Sequence, residues 1–143
     1  MKQLIFLLLL SFSSLSFAQC VKCTSLEEAT KEPLKVKSLQ LNSYLTEEEI
    51  SDFPKEIEKM TNLEILYFTD FEITEIPDFI GNLRELKSIS FSGTTIKSLP
   101  SSLLNLKKLK ELILFNTSIP NEFLVNFEKQ LKVDIPSCKI LFE

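Results

Sequence analysis

The stretch LEILYFTDFEITEIPDFIGNL, residues 63–83, spaces its apolar residues neither two nor 3.6 apart, yet 23 positions on the same spacing returns. Leu63, Leu66, Phe68, Ile73, Ile76-Pro77, Ile80 and Leu83 become Leu86, Ile89, Phe91, Ile96, Leu99-Pro100, Leu103 and Leu106. A period of this length commits the chain to a stack of equivalent coils, because one repeat is too small to bury its own apolar side. In each coil the segment Leu-x-x-Leu-x-Phe alternates, which suits a short strand with its apolar side chains turned inward. Proline at the fifteenth position then fixes one dihedral and removes a ladder donor, so the chain leaves the sheet. Ile80 and Leu83, three apart, fall on one side of a helical turn on the way back. Equal excursions place equivalent strands side by side and parallel, with a right-handed crossover.

Regular repeats occupy residues 63–85 and 86–108. A degenerate one begins at Val36, with Leu39 and Leu41 in strand positions, Phe53-Pro54, Ile57 and Met60 in return positions, and four extra residues within YLTEEEISDF. Another begins at Leu109, Leu112 and Leu114, loses register near Pro120, and runs into a shorter closing unit with Val133, Ile135, Cys138 and Ile140. Residues 36–143 therefore form the repeat domain. Residues 19–35 read as a helical N-terminal cap, with Ser25 at the helix start, Glu28 folding back three residues later and Pro33 as the stop. Residues 1–18 read as an export signal: Lys2, the run Leu4 to Leu10, and small residues at Ser16 and Ala18 where a signal peptidase reads. The run is too short and too Ser-interrupted for a membrane span. Lipidation at Cys20 is the alternative, disfavoured by Gln19 in the place where a lipoprotein signal carries a small residue.

The pattern L-x-x-L-x-F-x-x-F-x-I-x-x-I-P-x-x-I-x-x-L of residues 63–83, repeated at 86–106, resembles the leucine-rich repeat in its 23-residue form. The resemblance implies an α/β repeat fold, a short right-handed solenoid with one parallel sheet, and a role in binding proteins or peptides through the outward face of the strands. The family places Asn or Cys at the ninth position, where the side chain bonds the backbone of the turn. This chain has Tyr44, Phe71, Thr94, Thr117 and Cys138 there, so a regular asparagine ladder is absent. Thr supplies one hydroxyl for that role, while Tyr44 and Phe71 are expected to fill volume.

The available chemistry narrows the function further. With no histidine, imidazole acid–base catalysis, His-dependent nucleophiles and His-ligated zinc are excluded. Two glycines, Gly81 and Gly93, cannot build a phosphate-cradling loop. Glu47, Glu48, Glu49 and Asp52 read as a solvated acidic loop, lacking both a pocket for glycosidase work and the glycine turn of an EF-hand. Beyond residue 18 the chain carries 15 basic against 20 acidic groups, a formal charge of −5 that disfavours a phosphate-bearing partner such as nucleic acid. Lys107, Lys108 and Lys110 are a local basic cluster without interleaved aromatics, and read as a solvated face. Cys20-Val21-Lys22-Cys23 precedes a helix start, the setting of an acidified thiol, but has no thioredoxin-type strand and helix before it; a structural pair is favoured over a redox site. Asn116-Thr117-Ser118 matches a glycosylation acceptor, read as accidental because it follows a strand. Cys138 is expected as a buried thiol in the last coil, too far from Cys20 and Cys23 to bridge.

Outward strand positions hold Ser38, Gln40 and Asn42, then Ile65, Tyr67 and Thr69, then Ser88, Ser90 and Ser92, then Glu111, Ile113 and Phe115. Ile65 with Tyr67 and Ile113 with Phe115 break the small-polar rule, and an aromatic beside an aliphatic is the composition of a contact centre. Ile65, Tyr67, Ser88, Ser90, Ile113 and Phe115 are therefore the candidate partner-binding residues. The bland alternative is that they pack across the sheet or stand singly on the surface. No enzyme activity, cofactor or metal is expected. The expected setting is secreted, periplasmic or cell-envelope, in a bacterium, and the partner a protein or peptide. An envelope scaffold without a ligand site, or a thiol-redox protein using Cys20 and Cys23, are the other functional classes.

Overall fold

The computed structural model describes residues 20–142. The expected export signal lies outside the described residues. Six strands, β1 (Lys22–Cys23), β2 (Ser38–Asn42), β3 (Ile65–Thr69), β4 (Ser88–Ser90), β5 (Glu111–Ile113) and β6 (Lys139–Leu141), form one sheet in chain order. Every pairing is parallel, with Cys23 beside Leu39, Leu39 beside Leu66, Leu66 beside Ile89, Ile89 beside Leu112, and Leu112 beside Ile140. Two steps are the 23 residues of the regular repeat, and the step from Leu39 to Leu66 is longer by the four inserted residues.

The prolines act where the spacing placed them. Pro54, Pro77 and Pro100, with φ of −67°, −72° and −70°, each start a 3₁₀ turn, at Lys55–Lys59, Asp78–Asn82 and Ser101–Asn105. The same backbone bonds recur coil after coil: Ile57, Ile80 and Leu103 donate to the proline carbonyls, and Leu63, Leu86 and Leu109 donate to those of Met60, Leu83 and Leu106. The inward residues Leu39, Leu66, Ile89 and Leu112 are fully buried, as are Phe68, Phe91, Ile80 and Leu103. Phe53 stacks on Phe68 with centroids 5.2 Å apart and meets Phe79 and Phe91 edge-on, tying the irregular first coil to the two regular ones.

A second 23-residue register concerns the backbone alone. Asp70, Gly93 and Asn116, the residues that end the β3, β4 and β5 segments, all have positive φ, at 62°, 70° and 53°. Asp, Gly and Asn are the residues that occupy this left-handed region at least cost, so the turn out of each strand is written in residue type as well as in spacing. It also accounts for Asn116 as a turn residue.

The two ends of the stack differ from the sequence reading. The sheet begins one coil early, because β1 pairs with β2 before the short helix α1 (Leu26–Lys31). At the other end, the shorter closing unit is instead a longer one. Helix α2 (Asn121–Asp134) replaces the 3₁₀ return and buries Leu124, Phe127 and Leu131. The apolar spacing of three and four that predicts such a helix is present from Leu124 to Leu131, and it overrides the repeat register there. As a result Val133, expected to point inward, lies on the outer side of α2 and is 83% exposed. Ile135 and Cys138 are buried as expected.

Gly93 is needed at its turn both for its positive φ and because a β-carbon there would collide with the Asp70 carboxylate. Gly93→Ala should lower stability by about 1–3 kcal/mol in a urea titration, whereas Asn116→Gly, which relieves a left-handed side chain, should cost well under that.

Candidate functional site

The register assembles the outward residues into rows. Ser38, Ile65, Ser88, Glu111 and Lys139 form one row, and Gln40, Tyr67, Ser90, Ile113 and Leu141 the next. Beyond them Asn42 lies beside Thr69, with Ser92 and Phe115 continuing the row through the ladder bonds Asp70 N–H to the Ser92 carbonyl and Gly93 N–H to the Phe115 carbonyl. Tyr67 and Ile113 thus share a row two strand spacings apart, about 10 Å, while Phe115 sits one row further on, roughly 12 Å from Tyr67 along the diagonal. Ile65, Tyr67, Ser88, Ile113 and Phe115 are all half-buried. Ser90 is not a surface contact: it is only 6% accessible, bonded to the Ser92 hydroxyl at 3.1 Å, and forms a floor between Tyr67 and Ile113. The Tyr67 hydroxyl shares a hydrogen bond of 2.9 Å with the Ser88 hydroxyl. That bond leans the phenol towards β4 and fixes its ring before any partner arrives, which reduces the ordering cost of binding.

The ninth positions divide by residue type. Thr94 is buried and its hydroxyl donates to the Phe91 carbonyl at 2.6 Å, and the next residue, Thr95, donates to the Ile73 carbonyl of the preceding coil. Phe71 fills core volume, packing against Phe68 at 5.6 Å. Tyr44 does not: it is 83% exposed, and the neighbouring Leu45 is 87% exposed. The four-residue insertion starts there, and the Asn42 side chain accepts from the Tyr44 N–H while its carbonyl accepts from Leu45 and Thr46, turning both side chains outward. These two apolar tips were missed as candidate contacts because the repeat register assigned Tyr44 to the interior.

The acidic insertion is only partly a solvated loop. Glu48 accepts from the Leu26 and Glu27 N–H groups at 2.9 Å each and from the Ser25 hydroxyl at 2.8 Å, so its carboxylate closes the start of α1. Ser25 also accepts from the Glu28 N–H at 3.4 Å, but the carboxylate that closes the helix start is that of Glu48 from the insertion, not the Glu28 side chain the sequence pointed to. Burial raises the affinity of Glu48 for its proton, but the bonds from Glu27, Leu26 and Ser25 outweigh it and hold the carboxyl below its ordinary value. Along the solvent edge, Lys87 and then Lys37 hold the half-buried Glu64 carboxyl below its ordinary value, bridging three coils, and Lys108 reaches back to Glu85.

Cys20 and Cys23 are joined as a disulfide, and Cys138 is the free, buried cysteine. Burial, with Glu111 adding to it, pushes the Cys138 thiol up to about 11, so it is a protonated, unreactive group at neutral pH. Among the described residues no cluster of three or more acidic or cysteine side chains is arranged to hold a metal ion, and no helix is long and apolar enough to cross a membrane.

Comparison with known proteins agrees with this geometry. The leucine-rich repeat region family model matches residues 35–133, and the chain belongs to that family. Among solved structures, a leucine-rich repeat protein of Leptospira interrogans superposes with a TM-score of 0.65 at 27% identity, over 83% of this chain and 28% of that one. Internalin C2 of Listeria monocytogenes gives 0.59 at 20% identity, over 82% and 45%. The leucine-rich repeat ectodomain of the receptor kinase SOBIR1 from Arabidopsis thaliana gives 0.53 at 18%, over 85% and 62%. The chain therefore spans between about a quarter and two thirds of the length of these structures. No curated protein sequence matches it.

Two outcomes are expected. Because the folded-state value of Glu48 is depressed below the ordinary 4.5, its contribution is complete above that pH and is lost as pH falls through the folded value. Urea midpoints measured from pH 7 down to pH 3 should fall for the wild type, and Glu48→Gln should be less stable at pH 7 with a flatter profile. A thiol-specific reagent at pH 8 should label no cysteine in the native protein and one, Cys138, after denaturation without reductant.

Proposed function

We propose that the chain is an exported, non-enzymatic recognition module that binds a protein or peptide through the outward face of β3, β4 and β5. Leucine-rich repeat folds commonly mediate protein–protein interaction, and the stacking of coils builds an extended surface for it. The observation that carries the reading is the Tyr67 phenol, pinned by Ser88 and set in register beside Ser90 and Ile113. Rigid aromatic area standing over a floor of small residues concentrates binding energy at low entropic cost. Ile65 and Phe115 flank this centre. The apolar run before residue 19 and the pairing of Cys20 with Cys23 support delivery to an oxidising compartment, secreted, periplasmic or at the cell envelope of a bacterium. The same disulfide brackets β1 where it pairs with β2, which favours a structural over a redox role.

Affinity measured against a partner captured from the envelope or medium of the source should fall by about 1–3 kcal/mol on Tyr67→Ala or Phe115→Ala, with little change in melting temperature. Leu66→Ala or Ile89→Ala should instead cost about 2–5 kcal/mol of folding stability by opening a cavity in the stack. Full affinity in both outward variants would move the contact site away from the strand face.

A further inference from the structure

A second surface feature lies away from the strand face. Where the regular coils meet, their returns are pressed together: a β-carbon on Gly81 would lie 2.5 Å from the Ser102 carbonyl oxygen. One coil earlier the four-residue insertion delivers the first return by a different path, and between Asp52–Glu58 and Thr74–Phe79 the surface opens into a groove of about 600 Å³. That size lies within the roughly 300–1,000 Å³ of ligand-holding clefts. The groove is on the return side of the coils, away from Tyr67 and Ile113.

Its lining has a definite chemistry. Phe53, Pro77 and Phe79 supply the apolar part, and the two rings meet edge-to-face at 5.7 Å, with Phe53 held from below by Phe68. Around them stand three carboxylates, Asp52, Glu58 and Glu75, against one ammonium, Lys55. None of these four takes part in an ion pair among the described residues, in contrast to the other side of the coils, where Glu64 and Glu85 are neutralised by lysines of neighbouring coils. A net negative rim attracts a cation through its carboxylates, and the apolar wall beside it covers the aliphatic stem of a long cationic side chain. Such a rim disfavours an acidic ligand and gives a purely apolar one no use for the charges.

We infer that this groove is a second binding site, and that its ligand is an apolar peptide segment carrying an arginine or lysine side chain. The aliphatic neighbours lie against Phe53, Pro77 and Phe79, and the cationic head reaches the rim of Asp52, Glu58 and Glu75. The site does not depend on the strand face being the recognition surface, since the two share no residue.

The test is an NMR titration of the isotopically labelled chain with acetyl-Leu-Arg-Leu-Arg-Leu-amide and with the same peptide carrying Gln in place of Arg. The arginine peptide should shift the amides of Phe53, Thr74, Glu75 and Phe79, bind about tenfold or more tightly than the glutamine peptide, and weaken as salt is raised. The exposed double variant Glu58→Gln, Glu75→Gln should reduce it to the level of the glutamine peptide with an unchanged melting temperature, while Tyr67→Ala should leave it unaltered. Equal binding of both peptides, shifts confined to β3–β5, insensitivity to the double variant, or no shifts at millimolar peptide would each overturn the proposal. Loss of binding in Tyr67→Ala alone would assign the peptide to the strand face instead.

Discussion

The fold rests on contacts between inward side chains of successive coils, since no coil carries enough apolar surface to close on itself. Leu39, Leu66, Ile89 and Leu112 form one column, and Leu41, Phe68, Phe91 and Leu114 the next, each buried by the coil before and the coil after. The parallel ladder fixes the register of these columns, and a slip of one residue would turn every one of them to solvent. The same register that buries the columns aligns the outward rows, so the position of Tyr67 relative to Ser88, Ser90 and Ile113 follows from the core and needs no additional device.

Both ends of such a stack expose an unfinished column. At the start, β1 with its disulfide and α1 lie beside the first repeat strand, and Glu48 fastens α1 to the insertion of the next coil. At the finish, α2 lays Leu124, Phe127 and Leu131 over the last regular return before β6 adds its strand. The insertion's Glu48 bonds backward to α1, and Phe53, which follows the insertion at the start of the return, packs forward into the aromatic group of Phe68, Phe79 and Phe91. The insertion's length also opens the groove on the return side.

What the sequence revealed divides along the same line. Strands, prolines and inward residues of the regular coils were legible because each is written twice, 23 residues apart, and chance agreement at so many positions is remote. The left-handed residues Asp70, Gly93 and Asn116 carry an equally regular signal that only residue type betrays. Reasoning by register failed where the register stops: Tyr44 was counted inward although the insertion had begun, Val133 was counted inward although α2 had replaced the return, and β1 has too few residues to show any period. On the strand face, spacing named Ile65, Tyr67, Ser88, Ile113 and Phe115 as outward, but not that Ser90, a small residue between taller ones, would be covered by them. Nor could it show the hydroxyl bond between Tyr67 and Ser88, which joins residues 21 apart through the sheet.

The central claim is that one continuous core runs through the irregular first coil as well as the regular ones. Native-state hydrogen exchange of the backbone amides tests it most directly, because subunits of a stack that open separately exchange at separate free energies. A continuous core predicts that the most protected amides of β2, β3, β4 and β5, including Leu41, Leu66, Ile89 and Leu112, exchange only through global unfolding and with one common free energy. Exchange of the β2 amides at a free energy well below that of β4, with the rest of the stack still protected, would show that the insertion divides the molecule and would contradict the account.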